Sequence, residues 1–89
     1  MEKPNPTGQP FSISIVYNGL TESLSPVTWN ETVNSLLNRA LNLFKVQDGR
    51  HIQSLWLNGR ELPDAESVRE AGITSDAVVL LRPSAVKGG

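Results

Sequence analysis

Residues 54–64 read SLWLNGRELPD and carry the clearest local pattern in the chain. Leu55 and Leu57 alternate with their neighbours, which places the two leucines on one face of a strand and Trp56 on the other. An Asn-Gly dipeptide follows at 58–59, and these residue types tolerate the positive φ angles of a tight two-residue turn. The stretch therefore predicts a β-hairpin with a leucine face turned towards a core.

A second hairpin is predicted near the start of the chain. Residues 11–17, FSISIVY, alternate apolar and small polar residues, as a half-buried strand does. Asn-Gly at 18–19 supplies another turn, and residues 20–25 form the return strand, which ends at Pro26 because proline lacks an N–H. The inward residues of the first strand are Phe11, Ile13 and Ile15.

A long helix is predicted from about residue 29 to residue 45. Thr28 and Glu31 match a capping box, in which each side chain accepts a backbone N–H of the other residue. Trp29 would lie in the first turn and pack against the sheet edge. One face of the helix is apolar at spacings of three and four, and it comprises Val33, Leu36, Leu37, Ala40, Leu41 and Phe44.

The last third of the chain predicts a short helix and a central strand. Residues 65–71 are compatible with a short helix that stops at Gly72, and Ile73 is a buried anchor. Residues 77–82 form a continuous apolar run, which favours a strand covered on part of both faces. The order hairpin, helix, hairpin, short helix, strand predicts an α+β roll, with the first and last strands parallel at the sheet centre.

Composition and charge indicate one small globular domain. The chain has 89 residues, 38% hydrophobic and 19% charged, which allows one modest core. We expect a flexible arm over 1–10, a folded domain over 11–82 and a flexible tail over 83–89. A net charge of −1 argues against nucleic acid and anionic membrane partners. Cysteine is absent and no signal peptide is evident, which is compatible with the expected cytoplasmic location. The chain is also expected to be a monomer.

The chain ends on Gly88-Gly89. Two residues without a Cβ can be threaded through a narrow enzyme channel that would exclude bulkier side chains. At an average glycine usage of about 7%, such an ending arises by chance in roughly one chain in 200. The ending is therefore informative if a compact domain precedes it.

These elements together resemble the ubiquitin-like β-grasp family over about residues 11–89. The strand–turn–strand pattern of residues 54–64 is the most specific part, and the Ala-Gly-Ile step at 71–73 and the Gly-Gly end fall in matching order. The first Asn-Gly turn and the ending over 86–89 are most similar to bacterial ubiquitin-like modifiers. The resemblance implies a mixed four- to five-stranded sheet packed on one long helix.

The resemblance also implies a function. Gly89, preceded by Gly88, would supply a carboxylate that a partner activating enzyme adenylates with ATP, and Val86 and Lys87 would be read as part of the tail. A conjugating-enzyme-like protein would pass the acyl group to target proteins, and a deconjugating protease would reverse the step. In this interpretation the chain is not an enzyme and binds no cofactor. Its only histidine, His51, has no evident serine or cysteine partner.

A partner-binding surface is predicted around Trp56, with Leu80, Arg82 and Arg60. An exposed tryptophan on a strand is a frequent binding anchor, although cover by neighbouring side chains is the alternative. Arg60 stands where ubiquitin carries a chain-building lysine, and a guanidinium is not a useful acyl acceptor. If polymers form, Lys3 is the expected acceptor.

Two other functions are compatible with the sequence. A sulfur carrier shares the fold and the Gly-Gly end but converts its carboxylate to a thiocarboxylate. A non-covalent binding module would use Trp56 and owe nothing to the terminal glycines. A thiocarboxylate would identify the sulfur carrier, and covalent adducts would identify the modifier. Function that persists without Gly88-Gly89 would identify the binding module.

Overall fold

The first hairpin of the computed structural model, which describes residues 9–87, consists of β1 (Phe11–Tyr17) and β2 (Leu20–Val27). The three predicted inward residues of β1 are buried, as expected. The prediction that Pro26 ends the return strand is wrong. β2 continues to Val27, which pairs with Phe11 across a register shift. Proline is tolerated there because β2 lies at the sheet edge.

The main helix, α1 (Val33–Leu43), is shorter than the predicted span of 29–45. Thr32 is its N-cap and accepts a hydrogen bond from the Ser35 N–H at 3.1 Å. The predicted capping box at Thr28 is therefore wrong. Glu31 instead uses its carboxylate on the Arg39 guanidinium, at 2.8 Å, and on the Ser35 hydroxyl. The chain before the helix forms a turn, and the expectation of one long helix gives way to a helix of 11 residues.

The apolar face of α1 is buried as predicted, apart from its last residue. Phe44 is the C-cap and only half-buried, and its ring lies 5.3 Å from that of Tyr17. Trp29 packs beside the sheet as expected, with its ring 5.4 Å from Phe11, but from the turn before the helix. The buried face of the helix comprises Val33, Leu36, Leu37, Ala40 and Leu41.

The second hairpin joins β3 (Gln53–Leu57) to β4 (Arg60–Glu61) through the predicted Asn58-Gly59 turn. Both turn residues have positive φ, 53° and 80°, which is the geometry that Asn-Gly favours. A single 3-10 turn (Arg50–Ile52) precedes β3.

The short helix is α2 (Val68–Ala71), which ends at Gly72 as predicted. Ser67 and Glu70 form a capping box at its start, which the sequence reasoning missed. Ile73 is fully buried, in agreement with its predicted role as an anchor.

The last strand, β5 (Val78–Pro83), lies at the centre of a five-stranded mixed sheet with the order β2-β1-β5-β3-β4. It runs parallel to β1 and antiparallel to β3. The predicted central position and the parallel pairing are both confirmed. The core fills the space on the α1 side, and its fully buried side chains include Ile15, Val33, Leu36, Leu55, Val68 and Val79. Among residues 9–87, no helix is long and apolar enough to cross a membrane.

Candidate functional site: the outer sheet face and the tail edge

The sheet surface opposite α1, here called the outer face, brings together three of the predicted partner-binding residues. Trp56 on β3 lies directly opposite Leu80 on β5, so the two side chains share a face. Arg82 is two residues further along β5, and its guanidinium carbon lies 5.1 Å from the centre of the Trp56 ring. This distance is that of a cation–π contact. The outer face therefore presents an aromatic side chain and a cationic side chain that already contact each other.

The apolar part of the outer face extends beyond the tryptophan. Leu80 also lies opposite Val16 on β1, and Val78, which shares the face of Leu80, is 56% exposed. The sequence reasoning missed both valines. Strand alternation was the available signal, since residues 78, 80 and 82 must share one face.

Trp56 itself is half-buried, so the alternative that its neighbours partly cover it also holds. Within residues 9–87, its indole N–H is buried and has no hydrogen-bond partner. The ring is thus held by packing and by Arg82 rather than by a polar contact. Its exposed part remains available to a partner.

Arg60 does not belong to this surface, which corrects the predicted set. It lies opposite the inward-facing Leu57, so the alternation of β4 directs it away from the outer face. Its guanidinium donates a hydrogen bond to the Ala71 carbonyl at 3.0 Å and lies 4.0 Å from the Glu66 carboxylate. Arg60 therefore fastens the end of α2 to β4.

Glu61 is the polar centre of the neighbouring edge, and the sequence reasoning missed it. It lies opposite Trp56 and accepts hydrogen bonds from the hydroxyl groups of Ser54, at 2.8 Å, and Ser84. The Ala85 N–H donates to its other oxygen at 2.9 Å. The Ser84 hydroxyl, the Ala85 N–H and the Ser54 hydroxyl, in that order, lower the pKa of Glu61, and the Lys87 ammonium adds to the effect.

Lys87 forms a second anchor for the chain beyond β5. Its ammonium donates to the Gln53 carbonyl at 2.8 Å and forms an ion pair with Asp64 at 3.0 Å. Asp64 is itself held in place, because its carbonyl accepts the Asn34 N–H in the first turn of α1 at 3.0 Å. The acidic partner of Lys87 is thus fixed by the helix.

Residues 83–87 of the predicted flexible tail are described by the structure, and they contact the domain. Pro83 belongs to β5, and the Ser84 N–H continues the ladder to the Ile52 carbonyl at 2.7 Å. Val86 is 83% exposed, whereas Lys87 keeps only 24% of its side chain exposed. The predicted conjugation residues Gly88 and Gly89, and the predicted acceptor Lys3, lie outside the described residues.

A groove separates the tail from the turn after β4. It has a volume of about 370 Å³, and both partners of the ion pair between Lys87 and Asp64 line it. Within residues 9–87, no three histidine or carboxylate side chains are grouped closely enough to hold a metal ion. The residues lining the groove are Glu61, Leu62, Pro63, Asp64, Val86 and Lys87.

Comparison with known proteins identifies the fold but no family. No family model and no curated protein matches the chain. Among solved structures, 321 chains are similar, so the architecture is widespread and does not by itself indicate a function.

One of these solved structures is the crystal structure of ATBAG1 in complex with HSP70. The matched chain is 10% identical and superposes with a TM-score of 0.72; the match covers 86% of this chain and 42% of that one. The present chain therefore spans less than half the length of that neighbour. At such low identity the likeness establishes a small α+β domain with a mixed sheet.

Proposed function

We propose that the chain is a ubiquitin-like protein modifier with a β-grasp fold, activated at its C-terminal glycine carboxylate. One observation carries the proposal: in the sequence, Gly88-Gly89 follows the central strand β5 after only four residues, 84–87. Four extended residues span about 13 Å. The two glycines thus follow the central strand closely in sequence, and they carry no side chains to obstruct an enzyme channel.

The proposed chemistry treats the chain as a substrate. The Gly89 carboxylate attacks the α-phosphorus of ATP in an activating enzyme, and pyrophosphate leaves. An enzyme nucleophile then attacks the resulting acyl adenylate, and AMP leaves. An amine or hydroxyl of a target protein next attacks the acyl carbon on the conjugating-enzyme-like protein, and the enzyme nucleophile leaves. A deconjugating protease hydrolyses the product. The chain supplies no catalytic group and no bound cofactor, and its proposed location is the cytoplasm.

The outer face supplies the recognition surface in this proposal. Trp56 and Arg82 are residue types that often dominate interface energetics, and here they are already in contact. A surface that is ordered before binding loses less conformational entropy when a partner docks. The partners proposed for this face are the activating and conjugating enzymes.

The test is to recover covalent adducts from the native host. An N-terminally tagged chain is expressed there, purified under denaturing conditions and analysed by mass spectrometry. The proposal expects isopeptide or ester adducts through Gly89, and their loss when Gly88→Val and Gly89→Val are combined. A control, Leu20→Ala, changes an exposed residue far from the tail and should leave the adducts intact.

Two results would overturn the proposal. Adducts that persist with the bulky pair would show that the glycines are not the reactive end. A terminal carboxylate whose oxygen is exchanged for sulfur, without protein adducts, would assign the chain as a sulfur carrier instead.

A non-covalent binding module is the second candidate. The contact between Trp56 and Arg82 supports it, and so does the structural neighbour, which was solved in complex with HSP70. Calorimetry of HSP70 with the intact chain, the Trp56→Ala variant and the chain lacking Gly88-Gly89 tests it directly. Binding that needs Trp56 but not the glycines would favour the module, whereas absence of binding by the intact chain would reject HSP70 as its partner.

A further inference from the structure

The segment Ser84–Lys87 is attached to the domain at both of its ends. We infer that it is a latch, which holds the chain beyond β5 against the β3–β4 edge and must be displaced before an enzyme can draw that chain into a channel. The requirement for displacement rests on the proposed function. The latch itself rests only on the contacts of residues 53–87.

The first anchor of the latch is Glu61. Its carboxylate receives three donors, of which the Ser84 hydroxyl and the Ala85 N–H belong to the latch. The third donor, the Ser54 hydroxyl, is fully buried and orients the carboxylate towards the segment. Hydrogen bonds to a charged acceptor are stronger than those between neutral groups. The anchor is therefore built into the sheet.

The second anchor is Lys87, which reaches back across the groove. Its ammonium contacts the Gln53 carbonyl, at the start of β3, and the Asp64 carboxylate, in the turn that follows β4. Glu61 and Asp64 thus hold the two ends of a four-residue segment. A single exposed ion pair contributes little, but two anchors on one short segment reinforce each other.

The backbone between the anchors is curled. The N–H groups of Val86 and Lys87 both donate to the Ser84 hydroxyl, at 2.9 and 2.8 Å. An extended segment cannot bring the N–H of a residue three positions away to the same hydroxyl, because extended residues advance by about 3.3 Å each. The latched conformation is therefore incompatible with threading in an extended form, and the two states exclude each other.

The contacts also indicate what kind of partner opens the latch. Opening leaves the Lys87 ammonium without Asp64, and it leaves Glu61 without two of its three donors, the Ser84 hydroxyl and the Ala85 N–H. A partner that offers a carboxylate to Lys87 and hydrogen-bond donors to the Glu61 carboxylate compensates for both losses. Val86, which is 83% exposed while the latch is closed, is the side chain that such a partner meets first.

Trypsin provides the test, because Lys87 is followed by Gly88 and the Arg82–Pro83 bond resists cleavage. Cleavage removes two glycines, and intact-mass spectrometry of the full chain measures its rate. The rate follows the population of the open latch when opening is fast, so Glu61→Ala and Asp64→Asn should each raise it by about fivefold or more. The control, Glu22→Gln, removes an exposed carboxylate of β2 and should cut like the unchanged chain.

A second measurement separates opening of the latch from loss of the fold. The heteronuclear NOE values of the Ala85, Val86 and Lys87 amides should match those of β5 in the unchanged chain and fall in the Glu61→Ala variant, while amides in α1 stay unchanged. Equal trypsin rates in all four proteins, or low NOE values in the unchanged chain, would overturn the latch.

Different results would reject the latch and the proposed modifier function. Adduct formation in the host together with an open segment in the unchanged chain would remove the latch and keep the modifier. Fivefold faster cleavage of the variants without adducts from any protein would keep the latch and remove the modifier.

Discussion

We predict that the contact between Trp56 and Arg82 contributes measurably to the free energy of unfolding. The guanidinium carbon lies 5.1 Å from the ring centre, inside the range of a cation–π contact, but Arg82 is exposed to solvent. Exposed contacts of this kind contribute about 0.5–1 kcal/mol. A double-mutant cycle with Trp56→Leu and Arg82→Gln should therefore give a coupling free energy of about 0.5–1 kcal/mol at low salt.

Urea unfolding followed by circular dichroism measures this coupling. With a slope of about 1 kcal/mol per M for a small domain, the coupling corresponds to roughly 0.5–1 M in the summed midpoints. A second cycle pairs Trp56→Leu with Arg60→Gln, since Arg60 lies on the other face and bonds to Ala71. That cycle should be additive within about 0.3 kcal/mol. Equal couplings in the two cycles would refute the assignment of Arg82, and not Arg60, to the outer face.

Three further predictions concern the fold and the edge. Because the folded-state pKa of Glu61 is lowered, its contribution to stability is full above the ordinary value of 4.5 and is lost as the pH falls through the folded value. NMR should then show the Glu61 carboxyl and the Ala85 amide titrating together below pH 4.5. A titration midpoint above pH 4.5 would contradict the hydrogen bonds that the Glu61 carboxylate accepts. Thr32→Ala should lower the free energy of unfolding by about 0.5–2 kcal/mol, whereas Thr28→Ala should have little effect. A larger loss for Thr28→Ala than for Thr32→Ala would show that Thr28, and not Thr32, caps the helix. Leu55→Ala, at a fully buried site, should cost about 2–5 kcal/mol, and a loss below 1 kcal/mol in denaturant titration would contradict its burial.

The periodic parts of the fold were predictable from the sequence. Alternation defined the buried face of β1, and spacings of three and four defined the buried face of α1, because both patterns are imposed by local geometry. The two Asn-Gly turns were also readable, since few residue types accept their φ angles. A continuous apolar run correctly indicated that β5 lies at the centre of the sheet.

The start of α1 was not predictable from its local motif. Residues 28–31 satisfy the capping-box pattern, but Glu31 contacts Arg39, and the first helical N–H groups bond to the carbonyls of Asp64 and Glu66. These partners lie about thirty residues away in the chain and bring the starts of α1 and α2 together. A motif of four residues contains no information about such competition.

The contacts of residues 84–87 with Glu61, Gln53 and Asp64 were missed for the same reason. Lys87 and Asp64 are separated by 23 positions, and Ser84 and Glu61 by another 23, so no local pattern links them. Part of the signal was present, since a two-residue turn at 58–59 places Glu61 opposite Trp56. The composition of residues 83–89 suggested flexibility. Composition alone, however, does not show whether a carboxylate of the folded domain can accept hydrogen bonds from the segment.

The parallel pairing of β1 and β5 has a mechanical consequence. Both strands run in the same direction, so the chain enters β1 at one end of the sheet and leaves β5 at the other. Tension applied between these two points would load the inter-strand hydrogen bonds simultaneously, in shear, instead of breaking them one after another. A domain pulled through its C-terminal segment, with its first strand held in place, would therefore resist unfolding more than one whose strands separate one hydrogen bond at a time.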